Sequence, residues 1–273
     1  MTRIDYLMYP KFWIKTALYR CIPGGYGYCR YLRRYYDSGY VHERDKHPVR
    51  RKHYGSEGWR HSKQGAFFYR DYENYAEYEI HQRQKFDEII KFKGGFDNRT
   101  ITSYRLKFYR RFKSIAQFLP QHARIVCAGA RQGTEVEVLH DLGFKNAYGI
   151  DLNPGPENPF VRTGDFMQMD NATSSVDLVY TNCVDHAFNL DAFFKGHARV
   201  IKPDGYVLYD IGHSNDQKKG VFEAVAWEYE EDLFLMMLRY FKKIIHLESD
   251  REWKWVLLRG KRDQSYSNET LFT

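Results

Sequence analysis

The sequence predicts an α/β protein built on a doubly wound, mostly parallel sheet of seven strands, with an N-terminal extension that is helical, basic and aromatic. Short apolar runs alternate with helical patterns from residue 124 onward, which is the order that parallel βαβ units require. Two β runs follow each other closely at residues 243–248 and 253–259 and predict an antiparallel hairpin at one sheet edge. A chain of 273 residues, 43% of them hydrophobic, can bury the core of such a fold.

The chain divides into three parts: an extension at residues 1–66, a helical segment at 67–120 that leads into the sheet as a lid, and the sheet domain at 121–273. Residues 1–60 contain 13 Lys or Arg against 5 Asp or Glu, and they hold 10 of the 23 tyrosines. This composition predicts contact with a phosphorylated substrate, an anionic membrane surface or, less favoured, nucleic acid. An N-terminal subdomain with packed tyrosines and solvated arginines is the alternative.

Helical patterns extend over residues 67–119. Residues 71–91 lack Gly and Pro, which favours a helix. This helix is predicted to end before Gly94 and Gly95, which together give a helix stop signal. A second helix is indicated by one apolar stripe at three- to four-residue spacing that runs up to Pro120. The stripe consists of Tyr104, Phe108, Phe112, Ile115 and Phe118.

The sheet domain follows from short apolar runs and the helical patterns between them. Strands are predicted at residues 124–128, 147–152, around Val161, 176–181, 206–211, 243–248 and 253–259. Helices are predicted at residues 135–142, 190–201 and 222–240.

Composition excludes several classes of protein. No apolar run approaches the roughly 20 residues that a membrane-spanning helix needs. The first residues lack a cleavage site for a secretory signal, and the four cysteines have no zinc-ligand spacing. We therefore expect a cytoplasmic protein with reduced thiols and no metal, which the basic extension could bring to the inner membrane face.

A glycine turn between a strand and a helix is the most informative stretch of the sequence. Gly129 follows the apolar run of residues 125–128 and can adopt a backbone conformation that larger residues avoid. Gly133 would allow a ligand to approach the start of the next helix. Thr134 and Glu137 have the spacing of a capping box, which predicts that the helix begins here.

Acidic residues follow the next two strands. Asp151 ends the second strand, 22 residues after Gly129, where a carboxylate can accept hydrogen bonds from the hydroxyls of a ribose. Asp165 and Phe166 follow the third strand, where they could bind the amine and the ring of an adenine. The pattern thus predicts an adenine nucleoside at the carboxyl ends of the strands.

With Lys202-Pro-Asp-Gly205 and residues 176–182 (VDLVYTN), this ordered series resembles the class I S-adenosylmethionine-dependent methyltransferases. Residues 122–212 carry the motifs, and the segments around the glycine turn, Asp151 and residues 182–188 are similar to a subgroup found with polysaccharide-biosynthesis enzymes. The resemblance implies a Rossmann-like methyltransferase fold and S-adenosylmethionine as the cofactor. The cofactor would be bound by Gly129, Ala130, Arg131, Gly133, Glu135, Asp151, Leu152, Asp165, Phe166 and Asn182.

The glycine turn departs from the family pattern at two positions. Cys127 occupies the position of an acid that usually helps to hold the methionine ammonium, and Arg131 replaces the middle glycine. Glu135 is a candidate replacement for the acid, or else an ordinary first-turn acid favoured by the helix dipole. A Rossmann dehydrogenase is the structural competitor, but its Gly-x-Gly-x-x-Gly motif would need a glycine at position 131.

A hydroxyl acceptor is favoured because the chain lacks the Asn/Asp-Pro-Pro-Tyr motif of amine methylases and the Pro-Cys context of cytosine methylases. His186 is the favoured general base, with Asp185 orienting it or binding a sugar hydroxyl, and His213 is the second candidate. A structural, hydrogen-bonded histidine is the alternative for each. His81, Gln82 and Lys85 could reach the acceptor from the helical lead-in, or they form a solvated face.

The sequence therefore predicts a metal-independent O-methyltransferase that acts on a sugar, a glycan or a related small molecule. Two alternatives stay open. An RNA methyltransferase would use the basic extension on phosphates, and a binding protein would keep the fold without turnover.

Overall fold

The structure, a computed structural model, describes residues 58–61, 67–93, 98–155, 158–212, 222–249 and 253–262. Ten strands lie in these residues, and seven of them form one sheet in the order β5-β4-β3-β6-β7-β10-β9. The strands are β1 (Trp59–His61), β2 (Phe67–Arg70), β3 (Ile125–Ala128), β4 (Ala147–Asp151), β5 (Val161–Thr163), β6 (Val176–Thr181), β7 (Ile201–Gly212), β8 (Val225–Trp227), β9 (Phe241–Ser249) and β10 (Trp253–Lys261).

The large sheet confirms the predicted fold class. Strands β3 to β7 pair in parallel, whereas β10 lies antiparallel between β7 and β9. The predicted C-terminal hairpin is therefore at the sheet edge. Because β3, β4, β5 and β6 run in the same direction, the loops that follow them meet along one edge of the sheet, where ligands of doubly wound folds bind.

Five α-helices occur in the described residues: α1 (Tyr75–Lys93), α2 (Asn98–Ile115), α3 (Thr134–Asp141), α4 (Leu190–Val200) and α5 (Glu230–Tyr240). Buried side chains of α2 and α3 belong to one core cluster, and those of α4 and α5 to the other. Alternate residues of β3 enter the two clusters, with Val126 in one and Ile125 and Cys127 in the other. The sheet is thus covered on both faces, as its parallel strands require.

A second sheet, of order β1-β2-β8, corrects two predictions. Residues 67–70 form a strand and not the start of a helical segment, and β8 lies within residues 222–240, where one long helix was expected. The local sequence pattern did not reveal these two strands, because each has only three or four residues. They pair with each other although they are far apart in the sequence. This small sheet places Phe222 and Glu223 beside α1.

A buried ion pair joins α2 to the large sheet. The guanidinium of Arg111 lies 2.7 Å from Asp210 of β7, and Tyr180 of β6 donates its hydroxyl proton to the same carboxylate at 2.9 Å. Arg111 also lies over the ring of Trp255 in β10. The pair therefore fixes α2 against three neighbouring strands. Among the described residues, no helix combines the length and hydropathy needed to cross a lipid bilayer.

Candidate active site

The glycine turn after β3 adopts left-handed backbone conformations at three positions. Gly129 and Gly133 have φ of 74° and 79°, and Arg131 has φ of 47° although it carries a side chain. A Cβ atom at Gly129 would lie 2.9 Å from Cys183 Sγ, so this turn packs closely on the loop after β6. Arg131 thus accepts a conformation that costs an L-residue on the order of 1 kcal/mol.

Gly133 serves packing and helix initiation. Its added Cβ would lie 2.8 Å from side-chain atoms of both Phe160 and Val161. Helix α3 begins at Thr134, one residue before the predicted start at residue 135, and its N-cap residue is Gly133, with no side-chain cap. The predicted capping box is therefore wrong. Glu137 forms an ion pair with Arg105 of α2 instead, which ties α3 to α2.

Asp151 connects the end of β4 to the glycine turn. One carboxylate oxygen accepts from the backbone N–H of Arg131, and the other accepts from the backbone N–H of Asn153, both at 2.9 Å. A carboxylate has about four lone-pair positions, so two remain for hydroxyl donors. The predicted diol-binding residue is thus oriented by the backbone and keeps accepting capacity.

Two cavities share Gly129 and Arg131 of the glycine turn. The first cavity is lined by Tyr104, Phe108, Gly129, Ala130, Arg131, Gln132, Thr134, Glu135 and Asn182. The second cavity is lined by Gln82, Lys85, Gly129, Arg131, Asp151, Leu152, Phe166, Cys183 and His186. The structure therefore brings most of the predicted site residues together around one turn.

Glu135 is the acidic group of the first cavity. Its side chain is buried, and burial raises the pKa of the carboxyl to about 8, with smaller opposing effects from Arg131 and Arg105. Near neutral pH this carboxyl is therefore mostly protonated. Cys127, at the position where the family has an acid, is a fully buried thiol of β3 whose pKa is also raised by burial.

Asp165 is already hydrogen bonded within the protein. Tyr75 of α1 donates to one carboxylate oxygen, and the backbone N–H of Met167 donates to the other at 2.7 Å. Burial and the Asp165 carboxylate hold the pKa of Tyr75 well above its usual range, so the tyrosine stays the donor. Phe166 lines the second cavity, whereas Asp165 is not one of its lining residues.

Helix α1 lies beside the second cavity, and residues 78–85 of the helix contact the cavity and the loops around it. The Tyr78 hydroxyl donates to the His186 carbonyl at 3.0 Å, and Gln82 Nε2 donates to the Phe222 carbonyl at 2.8 Å. The next residue, Arg83, donates to the Leu152 carbonyl at 2.9 Å. Helix α1 therefore joins three loops at this edge of the sheet.

The predicted substrate residues of α1 separate into two environments. Gln82 and Lys85 line the second cavity. His81 is fully buried, shares a hydrogen bond of 2.8 Å with the Tyr72 hydroxyl and stacks on the ring of Phe222. It therefore packs α1 onto the domain.

His186 lies in a short 3₁₀ turn after β6 and is buried. Its Nδ1 is 2.8 Å from the Phe222 carbonyl and its Nε2 is 2.6 Å from Lys85 Nζ. Burial, followed by the charge of Lys85, holds the pKa of His186 well below its usual range, so the ring is neutral.

Two carboxylates stand beside His186. Atoms of Asp185, His186 and Glu223 that could ligate a metal all lie within 4.8 Å of one another. Burial raises the pKa of Asp185 to about 7, opposed by Lys85 and reinforced by Glu223. The cluster therefore combines two acids and a neutral imidazole with one cationic side chain, that of Lys85.

The sequence did not indicate every residue of the two cavities. Tyr104 and Phe108 were assigned to the apolar stripe of α2, because cavity lining and core packing give the same helical spacing. Glu223 carried no signal, since only the pairing of β8 with β2 brings it to Asp185. His213 lies outside the described residues.

Comparison with known proteins gives the following matches. Residues 126–209 match the model of a family described as a methyltransferase domain, and no curated protein matches the chain. The structure of Burkholderia thailandensis 1,6-didemethyltoxoflavin-N1-methyltransferase, with 1,6-didemethyltoxoflavin and S-adenosylhomocysteine bound, is similar at TM-score 0.55 and 14% identity, over 74% of this chain and 99% of that one. A SAM-dependent methyltransferase from Aquifex aeolicus matches at TM-score 0.46 and 19% identity, over 60% and 98%. The first of these likenesses shows a shared fold.

Proposed function

We propose that this protein transfers a methyl group from S-adenosylmethionine to a hydroxyl of a sugar, a glycan or a related small molecule, because residues 126–209 match the model of a methyltransferase domain and the seven strands form a Rossmann-like sheet. The observation that carries the proposal is the meeting of two cavities at Gly129 and Arg131, one with a buried acid and one with an oriented aspartate and an imidazole.

The residues present fit the nucleoside half of this cofactor. Asp151 keeps two lone pairs for the ribose hydroxyls, and Leu152 and Phe166 give the second cavity apolar walls for an adenine. Asp165 can bind the adenine amine only if Tyr75 shares or releases its carboxylate. We therefore assign the adenosine to the second cavity and expect the N-terminal part of α1 to adjust when it binds.

The methionine half fits the first cavity. Glu135 supplies the carboxylate that Cys127 cannot, and Arg131 supplies a positive charge for the carboxylate of the ligand. When bound, S-adenosylmethionine supplies a methyl group activated by a sulfonium. The protein holds both ends, excludes water with α1 and positions an acceptor oxygen for in-line attack.

Cofactor binding is expected to release a proton from Glu135. The free carboxyl has a pKa of about 8 because of burial, so it is mostly protonated at pH 7, and a ligand ammonium favours its ionised form. Affinity for S-adenosylhomocysteine should therefore rise between pH 6 and pH 8. Titration calorimetry in two buffers of different ionisation enthalpy measures the released proton.

Two variants separate this prediction from other titrating groups. Glu135→Gln should abolish the proton release and weaken binding by about 1–3 kcal/mol, the cost of losing a charge-assisted hydrogen bond. Asp185→Asn, at the second acid whose pKa burial raises, is the matched control and should leave the release unchanged. Proton release that survives in Glu135→Gln would place the ammonium elsewhere.

The acceptor class is tested with methyl-labelled S-adenosylmethionine and a panel of methyl hexosides, nucleoside-diphosphate sugars and lipid-linked glycans. Formation of a methyl ether, identified by mass spectrometry, is the expected result. Label transferred instead to RNA, with binding that weakens steeply as salt rises, would favour the RNA alternative. Binding of S-adenosylhomocysteine without transfer to any acceptor would favour a binding protein.

A further inference from the structure

A further cavity lies at the edge of the large sheet opposite to the candidate active site. It has a volume of about 480 Å³, in the range of small-molecule sites, and shares no lining residue with the first two cavities. Its lining residues come from α4 and from residues 261–262 at the end of β10. Lys261 donates to the hydroxyl of Ser174 at 2.5 Å, just before β6 begins, which places the cavity at the amino ends of the parallel strands. It is therefore separate from the site proposed for methyl transfer.

Four cationic side chains line this cavity, and we call it the basic cavity. They belong to Lys195, Arg199, Lys261 and Arg262. The described residues that line the cavity include no acid. Asp191, one helical turn before Lys195, accepts a hydrogen bond from Tyr240 and is not a lining residue. The basic cavity therefore has a positive potential that favours an anion.

Neutral acceptors orient the two arginines of the basic cavity. Arg199 donates to two backbone carbonyls, at 2.5 and 2.7 Å, and Arg262 Nε donates to the Phe241 carbonyl at 3.3 Å. A carbonyl oxygen accepts a hydrogen bond without cancelling the charge of the donor. Within the described part of the chain, neither arginine nor Lys195 forms an ion pair with a carboxylate. Both guanidinium groups are thus held in place while their charges stay uncompensated.

The dipole of α4 explains only one of these cations. Arg199 lies in the last turn of the helix, where the partial negative charge of the carbonyls stabilises a cation. Lys195 lies before the last turn, and Arg262 follows β10, so the dipole gives no reason for either. The clustering of these three side chains around one cavity therefore indicates a ligand of negative charge.

Gly196, in the interior of α4, also lines the basic cavity. Glycine destabilises the interior of a helix relative to alanine. Packing does not require glycine here. Among the described residues, and apart from its chain neighbours and the helix backbone, the nearest atom to a Cβ added at Gly196 is the Met167 carbonyl oxygen, at 3.8 Å. Close approach of a ligand to the backbone of α4 supplies a reason that packing does not.

From these observations we propose that the basic cavity binds the phosphate group of a phosphorylated organic molecule. The planar guanidinium groups of Arg199 and Arg262 match the geometry of phosphate oxygens, and Lys195 adds a further charge. The cavity is larger than a phosphate ion alone requires, and Ala192 beside Gly196 leaves space for the organic part. Such a phosphate belongs either to a free small molecule or to a lipid headgroup. The inference goes beyond the proposed function and does not depend on it.

Titration calorimetry of phenyl phosphate into the full-length protein tests the site, at about pH 7.5, where a phosphate monoester is mostly a dianion. We expect the double variant Lys195→Glu/Arg262→Glu to weaken binding about tenfold or more, because it removes two charge-assisted contacts. The control Arg110→Glu/Lys145→Glu makes the same change in net charge on α2 and on the loop after α3, and it should bind as the wild type does. Equal weakening in both double variants would show attraction by overall charge only and would overturn the proposal.

Two substitutions of Gly196 test the cavity while every cation is kept. Gly196→Met fills the space with a flexible side chain and should weaken phenyl phosphate binding about tenfold or more. Gly196→Ala is the matched control, and we expect it to keep most of the affinity and to raise Tm, since alanine is the better helix former. Unchanged affinity in Gly196→Met that is folded by circular dichroism would place the phosphate outside this cavity and overturn the proposal.

Co-sedimentation with vesicles distinguishes the two sources of phosphate. Vesicles of phosphatidylcholine with about 20% phosphatidic acid are compared with phosphatidylcholine alone, in the wild type and both double variants. Sedimentation that is lost in Lys195→Glu/Arg262→Glu and kept in the control would identify a lipid headgroup, whereas a loss confined to phenyl phosphate binding would identify a free molecule. If neither probe separates the two double variants, the proposal is wrong.

Binding of S-adenosylhomocysteine keeps this test apart from the proposed function. The variants at Lys195, Gly196 and Arg262 should leave that affinity unchanged, because the basic cavity shares no residue with the other two cavities. Absence of S-adenosylhomocysteine binding in the folded wild type would contradict the proposed function and leave the phosphate measurements intact. An equal loss of phenyl phosphate and S-adenosylhomocysteine in Lys195→Glu/Arg262→Glu would show a general structural defect and would overturn the separate site.

Discussion

Replacing Asp210 with alanine is expected to lower the free energy of unfolding by about 3–5 kcal/mol, because it leaves the buried charge of Arg111 without its carboxylate. The two side chains are 1% and 3% exposed, and their charged atoms lie 2.7 Å apart. The Tyr180 hydroxyl loses its acceptor at the same time. Urea unfolding followed by circular dichroism measures the change.

Two controls separate the buried charge from loss of packing. The double variant Arg111→Met/Asp210→Leu removes both charges and should recover most of the stability, since apolar replacement of a buried pair is often neutral. Lys202→Met breaks an exposed pair with Asp177 and should cost less than about 1 kcal/mol. A loss in Asp210→Ala as small as that of Lys202→Met would show that the Arg111 pair contributes little.

Gly133→Ala is expected to destabilise the protein by about 2–5 kcal/mol, through backbone strain of about 1–2 kcal/mol and overpacking of about 1–3 kcal/mol. Its φ is 79°, and the added Cβ would lie 2.8 Å from atoms of Phe160 and Val161. Both neighbours are held by β5 and the segment before it, so the turn itself must shift. The shift would also move Gly129 and Arg131, and cofactor affinity should fall with stability.

Gly58→Ala is the matched control for backbone strain. Gly58 has φ of 78°, nearly the same as Gly133, but among the described residues no atom of a neighbour lies within 4 Å of a Cβ added at this position. It should therefore show the conformational cost alone, about 1–2 kcal/mol. The free energy of unfolding of both variants is measured with urea. Equal losses of stability would show that contacts with Phe160 and Val161 add nothing to the cost of Gly133→Ala.

The sheet domain could be predicted because its strands are short, apolar and bounded by turn residues. Strand β6 was predicted with its exact bounds, residues 176–181, and β3 and β4 within one residue. The positions of Gly129 and Asp151 at strand ends then follow from topology, since parallel strands place their carboxyl ends together. Local pattern and global fold agree in this part of the chain.

The parts that were missed depend on contacts between distant segments. Strand β2 pairs with β8, where Phe68 lies opposite Ala226, 158 positions later in the chain, and no local period encodes that pairing. Thr134 and Glu137 have capping-box spacing, but Arg105 of α2 takes the Glu137 carboxylate. In both cases a tertiary partner decides between local alternatives.

The candidate site could be predicted only in part, because it too depends on contacts between segments that are distant in the sequence. Gln82 and Lys85 were predicted to reach the cleft, and both line the second cavity. The hydrogen bond between Lys85 and His186 joins residues 101 positions apart. The sequence could identify both side chains as candidates. Only the packing of α1 over the sheet edge shows that Lys85 is hydrogen bonded to Nε2 of His186.

Titration calorimetry of S-adenosylmethionine and S-adenosylhomocysteine into the wild type and Asp151→Ala tests the central claim most directly. We expect both ligands to bind the wild type with dissociation constants on the order of micromolar. The variant should bind about 1–3 kcal/mol more weakly, because the ribose hydroxyls lose a charged acceptor. No binding to wild-type protein that is folded by circular dichroism would contradict the assignment of this site to S-adenosylmethionine.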